Sequence, residues 1–339
     1  MTKAFISGCA GPVLTADEVC FFRDEDPWGL ILFARNIETP DQVRALTDTF
    51  RNMVGRDDAP VLVDQEGGRV QRLRPPHWRK YPAPRIFGDL YRRDGDAALR
   101  AAWLGARLIA EDLRPLGITV DCLPCLDVGF AETVDAIGDR AFSTDPGIVS
   151  ALGAAMVAGA LAGGVLPVIK HIPGHGRARV DSHIELPRVD ADLSSLESVD
   201  FRPFEALSQV SLGMTAHIVY EGIDADAPGT QSEKVIRGII RERIGFDGCL
   251  MSDDISMKAL GGRFDDRSRK VIEAGCDIVL HCNGDMEEMR AVAAGVPELG
   301  GRSAERCAAA LGGRTDPQDE FDGPEAWREL QERTGWQGV

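Results

Sequence analysis

Three of the six histidines in the chain fall between positions 170 and 183, within Lys170-His171-Ile172-Pro173-Gly174-His175-Gly176 and Asp181-Ser182-His183. Imidazole titrates near neutrality, which suits His183 to general acid or base work. Asp181, two residues earlier, can accept a hydrogen bond from that ring, fix its tautomer and favour its protonated form. Asp253, at the end of an apolar run, is a candidate carboxylate nucleophile. Lys170, Arg72, Arg140 and Asp64 are fixed donors and acceptors of the sort that hold a polyhydroxylated ring, and His171 joins them as a contact beside a strand end. Gly67-Gly68 would let the backbone approach such a ring closely. The sum is a glycosidase-like site. Blander readings compete at several positions. Asp64 can cap the turn that follows it, Arg72 can pair with Glu66 or Glu111, and His175, between two glycines, can shape a loop without touching a ligand. Strand alternation lets only one of Asp253 and Asp254 face a pocket, and the sequence does not choose between them.

Elements that could gather these residues are regular. Apolar runs at 4–7, 28–34, 60–64, 118–123, 165–169, 212–217, 248–252 and 276–281 read as short buried strands, and helical patterns separate them. Thr15 with Glu18 forms a capping box at the first helix, and Val43, Leu46 and Phe50 form one face of the second. No antiparallel hairpin signal stands out between the strands. Eight strands alternating with helices predict α/β architecture, a single-domain (β/α)8 TIM-like barrel. The polar clusters 64–72, 127–140, 170–183, His217 and Asp253-Asp254 each follow a strand, so such a barrel would gather them at one face. The expected organisation is a catalytic barrel over 1–314 and an acidic tail with a short terminal helix over 315–339, to which no chemistry is assigned.

Composition narrows the class. A 339-residue chain with a formal net charge of −16 is poorly suited to general attraction to nucleic acid or anionic membranes, and neither is expected as a partner. Eight scattered cysteines do not suggest a disulfide framework. Cys122 and Cys125 are three apart in an apparent strand, so they would point to opposite faces rather than share a metal or redox site. The uncharged stretch 148–169 has the length of a membrane span, but its Ala and Gly content, Gly163-Gly164 and Pro167 favour a buried helix, a glycine stop and a strand. Ile6-Ser7-Gly8-Cys9 imitates a lipoprotein box with too few residues before it for a signal peptide. A cytoplasmic location is expected.

The segments Val63-Asp64-Gln65-Glu66-Gly67-Gly68-Arg69-Val70-Gln71-Arg72, Lys170 to Gly176, Asp181-Ser182-His183 and Ser252-Asp253-Asp254-Ile255-Ser256-Met257 resemble the motifs of the bacterial β-N-acetylhexosaminidases of glycoside hydrolase family 3. The likeness runs in order from about the first strand to Cys282, with Ile172 standing where phenylalanine is expected, and the tail lies outside it. This resemblance implies a retaining exo-β-N-acetylglucosaminidase that removes non-reducing N-acetylglucosamine from 1,6-anhydro-N-acetylmuramyl peptide fragments in peptidoglycan recycling. It implies Asp253 as nucleophile, His183 as acid/base and Asp181 as the partner that orients it. Asp64, Arg72, Arg140, Lys170 and His171 would bind the sugar, with no metal and no cofactor. The partner expected is a small-molecule muropeptide substrate, and the oligomeric state is open. Three rivals stand beside it: a metal-dependent hydrolase using His171, His175, His183 and Asp253, a barrel that binds muropeptides as a sensor without turnover, and a glucose- or xylose-directed member of the same family.

Overall fold

Each apolar run hides a period of two that only the closed sheet reveals. In the computed structural model, which describes residues 1–131, 133, 137–180, 185–317 and 320–338, Ile6, Ile31, Leu62, Val168 and Met251 pack into an inner cluster. Their neighbours Phe5, Leu30, Leu32, Val61, Val63, Ile169 and Leu250 belong to an outer cluster shared with the helices. Both faces are apolar because both are covered, as in parallel sheets generally.

The strands are β1 Lys3–Ser7, β2 Pro27–Leu32, β3 Val61–Val63, β4 Val120–Asp121, β5 Leu166–Ile172, β6 Leu212–Thr215, β7 Cys249–Asp254 and β8 Ile278–His281. Every strand pairs in parallel with the next, and β8 closes the barrel on β1 through Phe5↔Val279, Ile6↔Leu280 and Ser7↔His281. The fold is the (β/α)8 barrel expected from the alternation of elements.

Local rules account for the helices between strands. Thr15 and Glu18 complete the capping box of helix Ala16–Glu25, with the Glu18 N–H donating to Thr15 Oγ1 at 3.2 Å and the Thr15 N–H to Glu18 Oε2 at 2.8 Å. Helix Pro40–Val54 is capped by Thr39 and buries Val43, Leu46 and Phe50 as its pattern predicts. The uncharged stretch is helix Pro146–Ala162, then Gly163 and Gly164, then β5. Among the described residues no helix is long and apolar enough to cross a membrane.

Two expectations are corrected. An antiparallel hairpin does exist, Gln65–Gly67 against Val70–Gln71, inserted directly after β3. Its turn is Gly67-Gly68, whose φ values of +96° and +56° belong to the region glycine tolerates best. The signal was present, and it was read as a ligand approach instead of a turn. The strand β5 also runs on through Lys170, His171 and Ile172, so the first two are held by the sheet and not by a loop. Cys122 joins the inner cluster while the Cys125 thiol meets Asp127 Oδ2 at 3.2 Å, and all eight cysteines are free thiols.

Candidate active site

Side chains from β3, the hairpin, the 138–140 turn and β5 meet in one ion cluster at the carboxyl end of the barrel. Lys170 Nζ lies 2.8 Å from Asp64 Oδ1 and 2.6 Å from Glu66 Oε1. Arg72 Nη2 donates to Asp64 Oδ2 at 3.0 Å, and Arg140 grips Glu66 with Nε at 2.9 Å and Nη2 at 2.8 Å. Burial alone would raise both carboxyl pKa values. Lys170 and Arg72 instead hold Asp64 well below the usual carboxylate range, and Arg140 and Lys170 bring Glu66 down to about 2. The same partners overcome burial at the ammonium and push Lys170 up. All five groups are therefore charged at neutral pH, and paired charges of this kind hold each other in fixed positions before any ligand arrives. The Arg72 guanidinium also lies over the Phe33 ring at 5.0 Å, and its buried Nε has no hydrogen-bond partner among the described residues.

Beneath this layer Asp121 takes the Gln65 N–H at 2.9 Å on Oδ1 and leaves Oδ2 without a partner among the described residues. Burial, with Asp64 and Glu66 nearby, pushes its pKa well above the ordinary value.

Asp253 and Asp254 differ in their hydrogen bonds. Asp254 is occupied: its Oδ1 accepts from the N–H groups of Ser256 at 3.0 Å and Cys282 at 3.2 Å, and its Oδ2 from the Ser256 hydroxyl at 2.5 Å. Among the described residues Asp253 accepts the Asp254 N–H alone, at 2.8 Å on Oδ1. Burial works to raise the Asp253 pKa, but His171, His217, that N–H and Lys170 lower it overall. Its ionised form is the favoured one. His217 secures the strand end behind it, with Nε2 donating to Asp254 O at 3.0 Å and Nδ1 2.7 Å from Thr230 Oγ1. Burial lowers the His217 pKa, which agrees with a neutral ring donating at Nε2 only.

A second carboxylate organises the histidines. Asp127, fully buried, accepts from His171 Nδ1 at 2.7 Å on Oδ2 and from the His175 N–H at 2.6 Å on Oδ1. Burial would raise its pKa, but His171 and His175 draw it well below the usual range. An ionised acceptor there makes Nδ1 of His171 the donor and leaves Nε2 available on the other side of the ring. Just beyond, a Cβ on Gly176 would sit 1.8 Å from Val128 O, so the base of the histidine segment lies directly on the backbone after Asp127. His175 is buried with its pKa lowered to about 4, chiefly by that burial, and packs 5.5 Å from the His171 ring.

These layers line a cavity of about 310 Å³ whose wall includes Asp64, Arg72, Arg140, Lys170, His171 and Asp253, with Phe33, Met214 and Met257 as apolar surface. Asp254 reaches the same wall, against the expectation that alternation admits one of the two aspartates, because the strand ends there and the chain turns. Such a wall offers charged groups that can hold a sugar ring and a carboxylate that can attack its anomeric carbon. The sequence from 21 to 308 matches the model of the glycosyl hydrolase family 3 N-terminal domain. The chain belongs to glycoside hydrolase family 3. A β-hexosaminidase of Alkalilimnicola ehrlichii is 38% identical over 334 residues, covering 97% of this chain and 92% of that protein. One from Methylococcus capsulatus is 40% identical over 277 residues, 80% of each chain. NagZ from Neisseria gonorrhoeae, solved in complex with N-trifluoroacetyl-D-glucosamine, superposes with a TM-score of 0.88 at 30% identity over 98% of both chains.

In this family 3 barrel the structure brings together six of the eight residues expected from sequence, Asp64, Arg72, Arg140, Lys170, His171 and Asp253. Asp181 and His183 lie outside the described residues. Arg72 pairs with Asp64, not with Glu66 or Glu111, because Glu66 is taken by Arg140 and Lys170 and Glu111 by Arg107. His175 packs behind His171 and is absent from the cavity wall. Gly67 and Gly68 do not approach a ligand: a Cβ on either would meet Pro82 O at 2.3 Å or the Ala83 Cβ at 2.7 Å. Among the described residues, Cys125, Asp127 and His171 are the group whose donor atoms converge closely enough for a metal, and those atoms already satisfy one another by hydrogen bonds. Glu66, Asp127 and His217 are the members that sequence reasoning left without a role.

Proposed function

We propose that this β-hexosaminidase-type glycosidase is a retaining exo-β-N-acetylglucosaminidase. Its substrate on this reading is N-acetylglucosamine joined to 1,6-anhydro-N-acetylmuramyl peptide, a cell-wall fragment, and its setting is cytoplasmic peptidoglycan recycling. The observation that carries the reading is Asp253, an ionised carboxylate with one hydrogen bond among the described residues, on the same cavity wall as Asp64, Arg72, Arg140, Lys170 and His171. The N-acylated glucosamine bound by the Neisseria relative supports an N-acetylated sugar in the same cavity, and the eight free thiols suit a reducing compartment.

Chemistry follows in two steps on this reading. Asp253 attacks the anomeric carbon as His183, protonated with help from Asp181, donates to the departing glycosidic oxygen, which yields a covalent glycosyl-aspartate. Neutral His183 then takes a proton from water, whose oxygen attacks the same carbon, and the carbon–Asp253 bond breaks. The sugar hydroxyls are held throughout by the ion cluster, and His171 presents Nε2 while Asp127 fixes its tautomer.

The test is release of 4-nitrophenol from its N-acetyl-β-D-glucosaminide, with and without a strong chelator, for the wild type and His183→Ala, with the first-formed anomer read by NMR. Turnover that survives chelation, appears first as the β-anomer and slows in His183→Ala is the expected result. Loss of turnover in chelator would favour a metal-dependent hydrolase. Binding of anhydro-muropeptide without any turnover would favour a sensor.

Asp127→Asn is a further expected result. An amide nitrogen placed against Nδ1–H forces either rotation of the amide away from His175 or the opposite His171 tautomer. Because His171 is a contact and not the proton carrier, kcat/KM should fall about tenfold to hundredfold, short of the about 10⁴ lost when the wrong tautomer is forced on a general base itself. A kcat/KM within twofold of wild type would show that the Asp127–His171 pair does not position the site.

A further inference from the structure

The segment 320–338 lies beyond the end of the family match at 308, and it reaches the wall of the active site by an unbroken series of contacts. Its helix, Gly323–Thr334, is capped by Asp322 and packs along helix Gly95–Leu113, where Arg100 clamps Glu329 at 2.9 and 3.1 Å. From that base two tryptophans hold residues 79–81. The Trp327 ring meets the Tyr81 ring edge-on at 5.6 Å and the Arg79 guanidinium at 5.8 Å, and Trp336 Nε1 donates to Lys80 O at 2.9 Å. Tyr81 Oη and Arg79 Nη1 both donate to Asp112 at 2.6 Å, which closes this side of the clamp.

The other side of residues 79–81 is the hairpin. Gln71 Nε2 donates to Arg79 O at 2.5 Å, the Tyr81 N–H to Gln71 Oε1 at 3.0 Å, and the Gly68 N–H to Tyr81 O at 3.0 Å. Gln65 accepts the N–H groups of Arg72 and Leu73 at 2.9 and 3.0 Å on Oε1. The ladder of the hairpin itself has two residue pairs, Gln65↔Gln71 and Gly67↔Val70, too few to stand alone in water. The 79–83 strap therefore holds the hairpin, and the strap is held from outside by Asp112 and by the pair of tryptophans. The hairpin leads into Arg72 and carries Arg69 and Val70, all three on the cavity wall.

We propose that Trp327 and Trp336 are positioning residues for the substrate-binding hairpin, so that the C-terminal helix is part of the catalytic unit and not an appended tail. The proposal rests on the reading of Arg72 as a sugar contact. Its physical content is that the contacts of Arg72 are made equally in the ground and transition states, so loosening the strap raises KM and spares kcat.

The experiment compares full-length Trp327→Ala and Trp336→Phe with Glu329→Ala, which releases the Arg100 clamp without touching residues 79–81. Aryl N-acetylglucosaminide kinetics, thermal midpoint and amide hydrogen exchange over 65–73 are measured for each. For Trp327→Ala, KM should rise about threefold to tenfold, a fraction of the about hundredfold that misplacement by 1 Å can cost. Its kcat should stay within about twofold, and exchange at Gly68, Arg72 and Leu73 should quicken. Trp336→Phe removes only the indole N–H bond and should move the same readings in the same direction to a smaller extent, which keeps the test open if Trp327→Ala does not fold. Glu329→Ala should lower the midpoint and leave KM and exchange alone. The proposal is overturned if the tryptophan variants keep wild-type KM and exchange, or if Glu329→Ala shifts both as strongly as they do. Faster exchange in a protein whose wild type does not turn over the glucosaminide would uphold the strap and remove the proposed activity instead.

Discussion

Asp253→Asn is expected to lose turnover of an N-acetyl-β-glucosaminide by a factor on the order of 10⁴ or more, the scale seen when an enzyme loses the nucleophile of a covalent step. The fold should persist. An asparagine Oδ1 still accepts the Asp254 N–H that Asp253 holds at 2.8 Å, and the stability lost is the net preference of the folded state for the charged form, which burial offsets in part. Binding should persist as well, because Asp64, Arg72, Arg140 and Lys170 form their cluster without Asp253. The neighbouring Asp254→Asn makes the contrast. Its carboxylate holds the Ser256 hydroxyl and two backbone N–H groups, so its loss should lower stability and reduce activity only through displacement of the β7 end. The pH profile carries the sign. Since His171, His217 and Lys170 depress the Asp253 pKa against burial, the carboxylate stays ionised as pH falls, so the acid limb of turnover should follow the loss of the neutral His183 that the second step needs and not the protonation of Asp253. If Asp254→Asn proved the dead variant and Asp253→Asn the active one, the assignment of the nucleophile would be reversed.

What the sequence disclosed and what it withheld divide along a physical line. The barrel could be read because each strand is a short run, buried on both faces, with a helix start or glycine stop beside it: Thr15 with Glu18, Thr39 before Pro40, Gly163 and Gly164 before β5. Those are local signals. Asp64, Arg72, Arg140, Lys170, His171 and Asp253 could be read because parallel barrels bring residues at or just past strand ends to one face, so position along the chain implied position in space. The eight strands gave the address of each residue.

Pairing was not legible, since it depends on atoms that are distant in sequence and close in the fold. Glu66 was weighed only as an alternative partner for Arg72, yet it sits between Arg140 and Lys170, 74 and 104 positions away. Asp127 stood in a polar cluster with no role, although the segment that follows β4 was the same kind of signal that singled out Asp64 after β3. What it lacked was any sequence cue that His171 and the His175 N–H would converge on it. Gly67-Gly68 shows the reverse error. Two glycines permit a close approach, and the sequence could not say that the approaching group is the backbone of Pro82 and Ala83 instead of a ligand. The contacts of the tail were hidden for a similar reason: its terminal helix was expected, but the acidic run before it resembles a linker, while Trp327 and Trp336 find their partners at Tyr81 and Lys80.

Lys170→Met is the substitution that should cost the molecule most stability. The side chain is 2% exposed and its ammonium is shared by Asp64 and Glu66. Methionine fills the space but leaves the two buried carboxylates, among the described residues, to the guanidiniums of Arg72 and Arg140. Removing one partner of a buried pair costs about 3–5 kcal/mol, and the surviving guanidiniums place this variant near 3 kcal/mol on that scale. The deficit should shrink in acid. In the wild type both carboxyls are depressed, Glu66 to about 2, so their contribution is present above the unfolded carboxylate range near pH 4 and is surrendered as pH falls through the lower folded values. Without Lys170 those folded values rise towards the unfolded range, the variant has less carboxylate stabilisation to lose, and its shortfall against the wild type should be smaller at pH 4 than at pH 7. Urea midpoints at pH 7 and pH 4 read both effects. A variant with wild-type midpoints at both would mean that Arg72 and Arg140 alone hold Asp64 and Glu66, and that Lys170 is kept at the barrel mouth for the ligand and not for the fold.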